Sequence, residues 1–197
     1  MSEFTDHWAL GKARVHRVEE WSGPFLTPQL LFAGFEPAAY AECKEAVPAA
    51  YLDAASDALQ ARLQSWVVEV DGQRVLIDTG AGNDKVRPGI PLFGGLQTPF
   101  LERLAVAGFA PEDIDLVVHL GDYIYEGAAV EDRVRRHLGL ECMALDDYRL
   151  RYALYKTDPH LQAAHAVAPW IVTWDDHEVA NNYAAGHASK PAQQADF

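Results

Sequence analysis

Two short apolar runs in the second half of the chain, Leu116-Val117-Val118 and Trp170-Ile171-Val172, each end in a burst of acidic and aromatic residues. A continuous apolar run bounded by turn residues reads as a buried strand. Strands are therefore predicted at residues 113–120 and 169–174. Upstream, residues 64–70 alternate apolar and polar, and residues 74–78 follow across Asp71-Gly72, a strong hairpin signal. The short mixed stretch at residues 13–18 predicts an edge strand. Helical spacing marks residues 35–61 as one or two helices interrupted at Pro48. Further helices are predicted at residues 98–107, capped by Thr98 and stopped by Gly108, and at 130–138, stopped by Gly139. Two more follow at residues 144–156 and 158–166, the latter capped by Asp158 with Pro159 in first place. Residues 78–95 form a long glycine-rich loop, and residues 185–197 a small, polar tail predicted to be flexible. The pattern predicts an α/β fold, a mixed β-sheet flanked by helices in one compact domain.

Composition narrows the chemistry. A chain of 197 residues with 49% apolar content can bury a core. Its 16 basic and 29 acidic residues leave a net charge of −13, which argues against a nucleic-acid scaffold as partner. Anionic substrates are repelled as well, unless a bound cation inverts the local field. Two cysteines, Cys43 and Cys142, are too few for a disulfide framework and imply a reducing compartment. No basic region followed by an apolar stretch opens the chain, and no apolar run approaches a membrane span. The sequence as given therefore predicts a cytoplasmic protein without a membrane partner.

The acid-rich segments carry the candidate chemistry. They are Gly121-Asp122-Tyr123-Ile124-Tyr125-Glu126 and Trp174-Asp175-Asp176-His177-Glu178, each just past a predicted strand. Ligands gather at the carboxyl ends of strands in open α/β sheets. Asp, His and Tyr clustered there suit hard cations such as Fe³⁺, Ca²⁺ or Mg²⁺. The i, i+3 step from Asp122 to Tyr125 can put both donors on one metal if the chain turns after the strand. The same residues also admit a plainer account. Tyr123, Tyr125 and Trp174 can be core aromatics, Asp175 and Asp176 turn caps, and His177 a hydrogen-bonded loop residue.

These segments, with the run Leu145-Asp146-Asp147-Tyr148-Arg149-Leu150-Arg151-Tyr152-Ala153-Leu154-Tyr155-Lys156 and the stretch from Asp158-Pro159 to Asn181-Asn182, resemble the PhoD-type alkaline phosphatase and phosphodiesterase family over about residues 112–184. The resemblance implies a metal-dependent phosphoesterase acting on a small phosphoester, with Fe³⁺ and Ca²⁺ as cofactors in preference to Zn²⁺ or Mg²⁺. It implies that Asp122 bridges the two metals, that Tyr125 ligates ferric iron, and that Asp176 faces the second metal. His177 would donate to the phosphoryl oxygens, with Asp175, Asn181 and Asn182 in the same shell. Relatives of this kind are typically exported.

The first half differs. Ser65-Trp66-Val67-Val68, then Val75-Leu76-Ile77-Asp78-Thr79-Gly80-Ala81-Gly82-Asn83-Asp84-Lys85, then residues 108–118 resemble metallo-β-lactamase-fold hydrolases over about residues 14–120. Such a hydrolase carries a His-x-His-x-Asp-His zinc motif after the corresponding strand. Here His119 stands alone, followed by Leu120-Gly121-Asp122-Tyr123-Ile124. Three or more protein ligands per zinc are needed, so zinc-dependent lactamase chemistry is excluded. Asp78-Thr79-Gly80 also matches an aspartic-protease signature, which would need a second copy of the chain. The alternative is a turn in which Asp78 caps nearby amides. The two resemblances, residues 1–120 and 112–184, overlap at the strand near residue 116, and the chain reads as a chimera. Three functions follow: a phosphoesterase with an incomplete site, a lactamase-fold hydrolase without its zinc motif, or a folded but catalytically empty domain.

Overall fold

The computed structural model describes residues 6–87, 90–130, 136–184 and 187. Six strands form one sheet in chain order: β1 (His7–Leu10), β2 (Ala13–Pro24), β3 (Gln60–Val70), β4 (Gln73–Ile77), β5 (Leu116–His119) and β6 (Trp170–Val172). The first four run antiparallel, and β4, β5 and β6 are parallel. The helices are α1 (Pro28–Leu31), α2 (Pro37–Cys43), α3 (Phe100–Val106), α4 (Leu145–Tyr155) and α5 (Pro159–Val167). This is the mixed α/β sheet that the patterning predicts. No helix among the described residues is long and apolar enough to cross a membrane.

Local chemistry explains the connections. The β3–β4 hairpin closes through Asp71 at φ 48° and Gly72 at φ 81°, the left-handed pair that a two-residue turn demands. A bulge between Glu19 and Trp21 bends β2. Beside it, the Glu20 carboxylate is buried and accepts the N–H groups of Ala81 (2.6 Å) and Gly82 (2.8 Å), anchoring the loop after β4. Gly80 lies so close to that carboxylate that an added Cβ would sit 2.6 Å from Glu20 Oε2. Asp78, at φ 65°, accepts the Gly80 N–H at 2.7 Å, which is the turn role expected of it. At the start of α5, Asp158 accepts the N–H groups of His160 and Leu161 and Pro159 follows it, as expected of an N-cap.

Ladder partners share a face of the sheet. Val67, Leu76 and Val117 point to one face, where with Val18 they pack against Leu104 of α3, Phe109 and Ile114. Trp170 and Val172, on the same face of β6, meet Tyr123, Ile124, Tyr148, Tyr152, Tyr155 and Leu161. Helices α3, α4 and α5 thus cover one side.

Several expectations are corrected. Residues 13–18 belong to a longer strand inside the sheet, because β1 adds outside it. The helix predicted over residues 35–61 ends at Cys43, with single 3₁₀ turns at Lys44–Ala46 and Ala49–Tyr51. Pro48 breaks the pattern, and beyond it Asp53 binds the N–H and hydroxyl of Ser56, so turn chemistry wins over apolar spacing. Thr98 does not cap α3, since its N–H and hydroxyl bind Asn83 Oδ1 and Pro99 takes the cap position. Of the helix predicted at 130–138, residues 131–135 lie outside the described residues, and 136–138 are not helical. The predicted flexible tail also lies outside them, apart from His187.

Leu104, 2% exposed, is the buried residue of α3, whereas Val106 on the same helix is 88% exposed. Leu104→Ala should cost about 3 kcal/mol in urea unfolding, and Val106→Ala less than about 0.5 kcal/mol.

Candidate metal centre

The parallel pairing of β5 with β6 brings two loops to one rim of the sheet, as the strand-end argument predicts. The first loop leaves β5 through Gly121 at φ 111° and Asp122 at φ 53°. A Cβ at Gly121 would overlap the Asp175 side chain, so glycine is required by both conformation and space. The second loop leaves β6 and enters a 3₁₀ turn at Asp176–Glu178.

Two buried glutamates tie these loops together. Glu178, 8% exposed, accepts N–H bonds from Asp122 (3.1 Å), Tyr123 (2.5 Å), Ile124 (3.2 Å) and Asp175 (2.7 Å). Glu126, 3% exposed, accepts from the Asn181 N–H at 2.8 Å and contacts His177 Nδ1 at 2.6 Å. Buried Arg151 donates to the carbonyls of Tyr125 and Gly127, on either side of Glu126. The sequence pattern gives no role to the two glutamates and would set Arg151 on the solvated face of its helix, which its burial corrects. The only signal was their place inside the recognised strings.

The outcome is a cluster. Donor atoms of Asp122, Asp176 and His177 all lie within 4.8 Å of one another. The Tyr125 hydroxyl donates to Asp122 Oδ2 at 3.2 Å, and its ring packs on that of His177 with centroids 4.4 Å apart. Four of the seven residues expected in the site therefore converge. Asp175 lies outside the three-residue group, its backbone N–H held by Glu178 and its side chain exposed. Asn181 gives its backbone N–H to Glu126, and Asn182 gives its own to Asp176 Oδ2 at 2.6 Å. His119, which aligns with the first histidine of the zinc motif looked for in the sequence, packs against the rings of Tyr123 and Trp170.

The electrostatics suit a cation. Burial raises the Asp122 carboxyl above its usual range, outweighing the nearby His177 and the Tyr125 hydrogen bond. Its Oδ1 is buried without a hydrogen-bond partner, which a carboxylate oxygen seldom tolerates. Burial, then the charge and hydrogen bond of Asp122, push Tyr125 up to about 12. Burial alone would lower His177, but the bond and charge of Glu126 raise it above the ordinary histidine value. The Asn182 N–H, chief among its neighbours, holds Asp176 below the usual carboxylate range. Oxygen donors from two carboxylates and a phenol, with one imidazole, make a hard donor set. With His177 Nδ1 engaged by Glu126, Nε2 is the ring nitrogen left for another partner. A carboxylate behind a histidine is a common support for metal sites.

Residues 100–197 match the family model for PhoD-like phosphatase. Alkaline phosphatase D of Bacillus subtilis (strain 168) is 56% identical over 80 residues, covering 38% of this chain. The chain spans only 14% of that relative's length. Among solved structures, the hydrolase AbOPH in the beta lactamase superfamily superposes with a TM-score of 0.50 at 14% identity, over 86% of this chain and 61% of that one. A structure of PhoD matches at 27% identity and a TM-score of 0.39, over 69% of this chain and 30% of that one. The likeness to AbOPH is one of fold.

Gly121→Ala should lower unfolding stability by about 2 kcal/mol or more, because both φ and the Asp175 contact oppose a Cβ. Glu178→Gln should cost a similar amount, about 2 kcal/mol, since an amide offers a single acceptor oxygen for four N–H donors. Chemical denaturation of each variant checks both values.

Proposed function

We propose, from the match of residues 100–197 to the PhoD-like phosphatase family model and the 56% identical segment of alkaline phosphatase D, that this chain is a metal-dependent phosphoesterase that hydrolyses small phosphomonoesters or phosphodiesters. The observation that carries the reading is the convergence of Asp122, Asp176 and His177 within 4.8 Å, with Tyr125 bonded to Asp122. Asp122 and Tyr125 would hold iron as Fe³⁺, and Asp176 would hold Ca²⁺ beside it, Asp122 being shared. Such cations, when bound, lower the pKa of a water and neutralise the phosphoryl oxygens. The chain's own residues do the rest. His177 presents Nε2–H to a phosphoryl oxygen while Glu126 fixes Nδ1 and so the ring's orientation. Glu178 sets the spacing of the two loops, and Tyr125, its ring tilted against His177, limits that ring's freedom. Asp175 and Asn181 shape the surrounding turns, within reach of substrate.

The two-part organisation belongs to the same proposal. A lactamase-type front, residues 1–120, is joined to a PhoD-type segment, residues 112–184, through β5. The fold likeness to AbOPH over most of the chain, beside a close sequence match limited to 80 residues, supports it. The unpaired Cys43 and Cys142 support a reducing, cytoplasmic setting.

Purified protein supplied with Fe³⁺ and Ca²⁺ should hydrolyse a chromogenic phosphodiester, and chelation should abolish the activity. Asp122→Ala should lose about 10²-fold or more. Activity of the parent no greater than that of Asp122→Ala would overturn the proposal in favour of a catalytically empty domain.

A further inference from the structure

The loop after β4 and the turn between α4 and α5 enclose a cavity of about 780 Å³ just past the carboxyl end of β4. Its walls are shaped from within the chain. On one side Glu20 holds the Ala81 and Gly82 N–H groups, and Arg87 donates to the carbonyls of Ala81 and, at 2.8 Å, Phe93. On the other side Asp158 caps α5 through the N–H groups of His160 and Leu161. Leu154, Leu161, Ala164 and Trp170 make part of the lining apolar, with the Trp170 indole N–H donating to the Ala164 carbonyl at 3.2 Å. A concave, partly apolar space of this size with a few polar groups is the form of a small-molecule site. The crevice outside the carboxyl ends of parallel strands is also where open α/β sheets bind ligands.

We propose that this cavity binds a small organic anion, a phosphate or carboxylate carried on an apolar body. The lining selects that chemistry. Lys85, Arg87 and Arg136, set against Asp84 and Asp158, leave it positive by one in a chain of net charge −13. Both carboxylates are already engaged: Gln97 donates to Asp84, and Asp158 Oδ1 takes the two amides of α5. The cations are engaged less. Lys85 Nζ stands 3.8 Å from Asp158 Oδ2, too far for a hydrogen bond, and no described residue bonds the side chain of Arg136 or His160. An anionic head takes up these donors through charge-assisted bonds, and its apolar body lies against Leu161 and Trp170. The space is a cleft between two walls of this chain, sized for a ligand, rather than an open face. Its lining includes none of Asp122, Tyr125, Asp176 and His177, so binding here does not depend on the proposed activity.

The full chain, treated with chelator and titrated calorimetrically with phenylphosphonate at low salt, should bind it with a dissociation constant below about 1 mM. Raising NaCl to about 0.5 M should weaken the binding, because the ionic contacts are screened. Inorganic phosphate, which lacks the ring, should bind at least about threefold more weakly. Arg136→Gln, at an exposed position, and Lys85→Gln should each raise the phenylphosphonate constant at least about fivefold. Arg149→Gln, which removes an equal charge from the solvated side of α4 outside the cavity, should change it less than about twofold. Without metal the carboxylates of Asp122 and Asp176 repel anions, so failure here and failure of the phosphoesterase reading are separate results. No saturation by about 10 mM, or binding unchanged in both cavity variants, overturns the proposal. Equal affinity for inorganic phosphate overturns the apolar body.

Discussion

The buried carboxylate of Glu178 accepts four backbone N–H groups, three from the loop after β5 and one from the loop after β6. Those amides sit where each strand has ended and its ladder no longer supplies partners. Left unpaired in a buried place, each would cost about 1–3 kcal/mol. Because one side chain satisfies all four, the loops cannot move apart without exposing a charge and several amides together. The positions of Asp122 and Asp176 follow from this bond set, since each is adjacent in sequence to an anchored residue.

The same device recurs one strand over. Glu20, from the bulge of β2, holds the N–H groups of Ala81 and Gly82 past the end of β4. Glycine accompanies both clasps, Gly80 beside Glu20 and Gly121 beside Asp175, because a Cβ would fill the space that the carboxylate or its neighbouring turn needs. Consecutive parallel strand ends are thus finished by buried carboxylates. Only the second clasp is surrounded by further acids and a histidine, and only there do the described residues gather donors that suit a cation.

Legibility in the sequence followed the range of the forces involved. The hairpin at Asp71-Gly72 and the cap at Asp158 were readable because both depend on residues within a few positions. The strands at Leu116 and Trp170 were readable as continuous apolar runs, although the burial expected of them holds only at Val117. Thr98 was misread because its true partner, Asn83, lies 15 residues away. The helical reading of residues 35–61 held at Pro37–Cys43 and failed beyond Pro48 for a related reason: Asp53 and Ser56 offer the backbone a local alternative that periodicity does not register. Within the site, Asp122, Tyr125, Asp176 and His177 were readable through motif resemblance. Glu126, Glu178 and Arg151 were not, because their roles are bonds across 24 to 56 positions of chain.

The division of labour in the sheet explains how a site can persist beside an uncovered face. The helices bury one side, and that side alone holds the fully buried residues. Stability drawn from it fixes the strand register. Register fixes which residues reach the rim, because a one-residue slip of β6 against β5 would turn Trp170 and Val172 away from Tyr123 and Ile124. The rim geometry then needs only the local carboxylate clasps. The opposite face, which carries Trp66, Ile77, Val118 and Ile171, adds nothing to this chain of dependence. Its side chains keep a residual exposure among the described residues, so the packing that fixes the rim comes from the helix-covered side.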